Sequence, residues 1–68
     1  MRYAVVIEKA RENYCAYVPD LPGCIATGAT PGEVEEEIRK AIQFHIEGLR
    51  EDGESIPEAT TTLEQVDA

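Results

Sequence analysis

The side chains in this chain that can do chemistry are few. Cys15, Cys24, His45 and Ser55 are the candidate nucleophiles and soft ligands, and fourteen Asp and Glu residues are the only plentiful reactive class. A metal site built from Cys and His needs closely spaced ligand pairs, and Cys15, Cys24 and His45 have no such spacing. Nucleophilic catalysis needs a Ser or Cys beside a base. Ser55 has no identifiable base partner, and both cysteines sit among apolar residues that read as core. Glycines at 23, 28, 32, 48 and 53 are scattered and make no phosphate-cradling loop. Converging carboxylates for metal-assisted hydrolysis are the remaining option. Among the apolar segments, however, only the first carries an acid, Glu8, and Asp20 belongs to a turn. The residue types therefore point to no catalytic group, no cofactor and no metal.

Composition narrows the class further. Sixty-eight residues make a single domain over 1–68, and so short a chain buries only about 60% of its unfolded surface. Self-association is a common way to make up the deficit. Six Lys and Arg against fourteen Asp and Glu leave a formal charge of −8. That balance argues against direct nucleic-acid binding, which needs clustered cations. It suits a basic protein partner, or serves only solubility. No apolar run approaches the ~20 residues of a membrane span, and the N-terminus lacks signal-peptide character. The expected location is the cytoplasm, where Cys15 and Cys24 stay reduced.

The elements that must position these residues are legible in order. Arg2 to Lys9, rich in Val, Ile and Tyr, reads as a strand. Polar Ala10–Asn13 closes a hairpin into a second strand, Tyr14 to Val18. Pro19 and Pro22 stiffen the next turn, Gly23 lets it reverse, and Gly28 is expected to give the same freedom before the helix. A third strand runs from Cys24 to Thr27. Thr30-Pro31-Gly32-Glu33 is a helix start with a capping residue, a proline at the first helical position and a glutamate placed for a capping box. Gly53 marks the stop, giving about 22 residues and roughly 33 Å of helix. Thr60 to Val66 has the β-branched content of a short fourth strand. A right-handed crossover would set that strand beside the first, in the order 3-2-1-4. The expected fold class is α+β. It has two layers in the order β-β-β-α-β, with a three-stranded antiparallel meander and one long helix on one face.

Pairing Lys9 with Tyr14 and Val18 with Cys24 sorts the strands onto two faces. Tyr3, Val5, Ile7, Tyr14, Ala16, Val18, Cys24 and Ala26 share the face the helix covers. Ala4, Val6, Glu8, Cys15, Tyr17, Ile25 and Thr27 share the other. Cys15 and Cys24 fall on opposite faces, which disfavours a disulfide between them. An uncovered patch holding Val6, Cys15, Tyr17 and Ile25 marks an interface, so a homodimer or higher oligomer is expected through it. On the helix, Val34, Ile38, Ala41, Ile42, Ile46 and Leu49 form one stripe. His45 lies in that stripe and reads as a core histidine, whereas Phe44 points away from it and is a candidate contact.

The segments Tyr3–Glu8, Val18-Pro19-Asp20-Leu21-Pro22-Gly23-Cys24, Gly28-Ala29-Thr30 and Asp52-Gly53-Glu54-Ser55-Ile56-Pro57 follow one another in a pattern that resembles the HicB-type antitoxin domain. The resemblance runs from about residue 3 to residue 58. It implies a partly degenerate ribonuclease-H-like fold. It also implies a partner, the HicA-type toxin, a small basic protein that cleaves mRNA and whose active surface the antitoxin covers. Many such antitoxins add a DNA-binding domain. The ten or so residues after Pro57 leave no room for one here, so autoregulation by direct DNA binding is not expected. The residues assigned to partner contact are Asp20, Leu21 and Pro22 in a rigid exposed turn, together with Glu33, Glu36, Glu37 and Phe44. The alternatives are a solitary oligomeric module with an unknown ligand and a ribonuclease-H-like metal-dependent nuclease.

Overall fold

Short alternating apolar segments give three strands, and the capped amphipathic run gives one helix. The computed structural model describes residues 1–68: β1 is Val6–Lys9, β2 is Tyr14–Tyr17, β3 is Ile25–Gly28 and α1 is Pro31–Glu51. The strands form one antiparallel sheet in the order β1-β2-β3. Lys9 pairs with Tyr14 as the sequence predicts, and Val6, Tyr17 and Ile25 stand side by side across the three strands. The ladder of β1 begins only at Val6. Extending the register would set Ala4 opposite Pro19, which has no N–H to donate.

Two successive tight turns join β2 to β3. The Leu21 N–H donates to the Val18 carbonyl at 3.0 Å, and the Cys24 N–H donates to the Leu21 carbonyl at 3.0 Å. Pro22 and Gly23 occupy the centre of the second turn, and the φ of +84° at Gly23 matches a type II turn, a geometry open chiefly to glycine. This double turn folds the Leu21 side chain inward until it is fully buried.

Helix α1 starts as its residues dictate. Thr30 Oγ1 accepts the Glu33 N–H at 3.1 Å, and Glu33 Oε2 reaches back to accept the Ala29 N–H at 3.0 Å. At the far end Gly53 N–H donates to Arg50 O and Glu54 N–H to Leu49 O, the paired bonds of a Schellman ending. The 21 residues span roughly 31 Å. The helix lies mainly over β3 and β2 and meets β1 least. Gly28 corrects the expectation made for it. It does not adopt a positive φ, and a Cβ there would stand 2.6 Å from the Val34 nitrogen. Glycine is required because β3 and the first turn of α1 touch backbone to backbone.

The core is small: Ala16, Val18, Leu21, Cys24, Val34 and Ile38 are buried, with Tyr3, Val5, Tyr14, Ala26, Ala41 and Ile42 packed around them. Deleting a buried Leu or Ile side chain costs about 2–5 kcal/mol. A domain of this size holds only about 3–10 kcal/mol at 0.05–0.15 kcal/mol per residue. Single core truncations are therefore expected to be severe.

The predicted fourth strand is absent, and the order 3-2-1-4 reduces to 1-2-3. Asp20 supplies the physical reason. Its Oδ2 accepts the N–H groups of Thr60 and Thr61 at 3.1 and 3.0 Å, and its Oδ1 accepts their hydroxyls at 3.1 and 2.8 Å. The backbone donors that would open a strand ladder are bound to a carboxylate instead. Ahead of this clasp, Tyr3 Oη donates to Pro57 O at 2.6 Å and holds the segment leaving the helix against the base of the sheet.

Candidate partner-binding surfaces

The face of the sheet opposite α1 is uncovered. Val6, Tyr17 and Ile25 form its apolar row, and the neighbouring row on the same face is Glu8, Cys15 and Thr27. Ile25 is 70% exposed and Tyr17 40%, while Val6 and Cys15 are half-buried. The register therefore brings all four residues assigned to self-association onto one surface. Cys24 lies on the helix side, and burial raises its thiol pKa above the ordinary value.

The β2–β3 turn does not present what the sequence suggests. Leu21 is 0% exposed, because the double turn directs it into the core, and it offers nothing to a partner. Asp20 is half-buried, with both oxygens committed to Thr60 and Thr61. Hydrogen bonds, chiefly those from Thr61, hold its carboxyl below its ordinary pKa. Only Pro22 of the three remains exposed.

At the head of α1 the acids converge. Glu33, Glu36 and Glu37 line one shallow hollow with Thr27, Gly28 and Gly32. Glu33 also serves the helix cap. Glu36 pairs with Arg39 at 2.9 Å, and Glu37 pairs with Lys40 at 3.5 Å, both in exposed i,i+3 contacts. Exposed pairs of this kind are worth about 0–1 kcal/mol. Phe44 is 79% exposed and lies one turn beyond Lys40 on the outward side of the helix, clear of the core as its position in the sequence implies. His45, expected in the core, is only half-buried and lies outside the buried cluster. No group of three or more His, Cys, Asp or Glu residues is placed to hold a metal ion. No helix is long and apolar enough to cross a membrane.

Two features have no local signal in the sequence. One is the Asp20 clasp, which joins residues forty positions apart. The other is an open groove of about 740 Å³ between β1 and α1, at the place reserved for the fourth strand. The exposed Thr-rich run and the lone turn aspartate are the only hints of the first. The second depends on how far the helix sits towards β3.

Comparison with known proteins places the chain in a family. A profile described as the HicB-like antitoxin of a bacterial toxin–antitoxin system matches residues 3–68. An uncharacterised protein of the rep–hol intergenic region of Haemophilus phage HP1 is 44% identical over 59 residues, covering 87% of this chain but 44% of the phage protein. The chain thus spans less than half the length of that relative. A UPF0150 protein of Thermoplasma acidophilum is 41% identical over 58 residues, covering 84% of each chain. Another, from Archaeoglobus fulgidus, is 39% identical over 59 residues, covering 82% of this chain and 86% of its own. No solved structure matches significantly. With nearly every residue inside the matched span, the chain belongs to the HicB-like antitoxin family.

Proposed function

We propose that this protein is an antitoxin that binds a small basic HicA-type mRNA-cleaving toxin and neutralises it by covering its active surface. The observation that carries this reading is the acidic hollow at the head of α1, where Glu33, Glu36 and Glu37 face solvent together in a chain of net charge −8. Such a surface attracts a cationic protein over distances of about a Debye length, near 8 Å at physiological salt, and speeds the encounter. Phe44 and Pro22 are exposed apolar side chains available to such a partner. A partner that acts on mRNA places the complex in the cytoplasm.

Co-expression with a small basic protein from an adjacent reading frame is the direct test, and absence of any such reading frame counts against the proposal. The two proteins co-purify, growth is restored, and Glu36→Lys with Glu37→Lys weakens the complex at least tenfold at low salt. Failure to associate rejects the reading. Binding that ignores the charge reversal moves the contact surface elsewhere.

A solitary oligomeric module is the second reading, favoured by the uncovered Val6–Tyr17–Ile25 row. The nuclease reading has less support. It needs converging carboxylates, and Glu8 is the one acid on the strands.

A further inference from the structure

The groove between β1 and α1 is built to take an extended segment. Its floor is apolar, with Val5 and Ile7 from the sheet side and Ile42 and Ile46 from the helix. Its rim holds Arg2, Arg39 and Arg50, three of the chain's six cations, against Glu35 and Glu47. Arg39 is already paired with Glu36 and Glu35, so Arg2 and Arg50 are the rim cations free to meet an acid. One wall is also a strand edge. β1 pairs with β2 alone, so its outer backbone groups are free to accept another strand.

The molecule also carries a segment of matching chemistry with nothing to pack on. Residues 62–68 are all exposed, Leu63 by 63% and Val66 by 84%. The run Thr62-Leu63-Glu64-Gln65-Val66-Asp67 combines β-branched and apolar residues with two acids. In a strand, Leu63 and Asp67 share one face while Thr62, Glu64 and Val66 share the other. An edge strand beside β1 needs this arrangement: Leu63 over the apolar floor, Asp67 towards the arginines and Val66 beside Val6 on the opposite face. The chain's own copy is tethered elsewhere, because the four hydrogen bonds from Thr60 and Thr61 to Asp20 start this segment at the β2–β3 turn.

We propose that the β1–α1 groove is the docking site for residues 62–67 of a second copy of this chain, which adds as a strand to the free edge of β1. The exchange is reciprocal in a two-fold dimer, each copy giving one segment and receiving one. It uses a surface distinct from the acidic hollow and meets the Val6–Tyr17–Ile25 row only at its Val6 end.

The test uses the full chain carrying Tyr17→Glu, so that the uncovered sheet face does not mask the result. Light scattering of this protein gives a dimer. Leu63→Glu disables the segment and Ile7→Glu disables the groove, so each alone gives a monomer. An equimolar mixture of the two regains a dimer, because one intact segment then meets one intact groove. A labelled peptide of residues 61–68 binds the Leu63→Glu protein saturably, and binding weakens at least tenfold with Ile7→Glu or in 1 M salt, where the Debye length is about 3 Å. Leu63 is exposed, so its variant decides the matter even if Ile7→Glu does not fold. A monomeric starting protein, a dimer indifferent to Leu63→Glu, or a peptide that does not bind overturns the proposal.

Discussion

Asp20 shows how one side chain redirects a segment. Its carboxylate accepts four hydrogen bonds from Thr60 and Thr61, and those bonds favour the ionised form, so its pKa in the folded protein is depressed. The clasp is therefore complete above the ordinary aspartate value of about 3.9 and is lost as pH falls through the lower folded value. Amide resonances of Thr60 and Thr61 are expected to titrate together with a midpoint below that ordinary value. Asp20→Asn should abolish the titration and raise hydrogen exchange in residues 58–62 while leaving the sheet protected. A midpoint at the ordinary value would show that the clasp does not form in solution. An aspartate in a proline-rich turn is usually solvent-facing and open to a partner, and nothing near Asp20 in the sequence names a threonine pair forty residues on.

Among elements, the contact between β3 and α1 sets the architecture. Gly28 lets the strand end approach the Val34 backbone, which draws the helix over β3 and leaves β1 thinly covered. Gly28→Ala puts a methyl group where no flexible side chain can yield. It is expected to destabilise by about 1–3 kcal/mol, the range for overpacking, seen as a lower urea midpoint with an unchanged slope. An unchanged midpoint would mean that strand and helix separate easily. The sequence marks Gly28 as special but for the wrong reason. Conformational freedom is a local property, whereas a close approach exists only once two elements are packed.

For the whole molecule, the distribution of apolar surface matters most. One helix covers one face of the sheet, and the Val6–Tyr17–Ile25 row is left facing water. Burying that row in a self-association contact removes apolar area worth about 25 cal/mol per Å². Light scattering at micromolar concentration is expected to give an oligomer whose mass falls with Tyr17→Glu at unchanged helix content. A monomeric parent protein, or a mass indifferent to the substitution, would reject this face as an interface.

The three-stranded meander, its register, both faces of the sheet and the ends of the helix were determined by the sequence alone. They rest on alternation, proline and glycine geometry, and capping residues, all of which act over a few neighbours. The outward position of Phe44 follows from the same helical period. Tertiary structure alone decided the burial of Leu21, the role of Gly28, the commitment of Asp20 and the open groove beside β1. Each of these depends on atoms brought together from distant parts of the chain. The fourth strand was lost for that reason: its local propensity was outweighed by a carboxylate forty residues away that holds Thr60 and Thr61 at the β2–β3 turn.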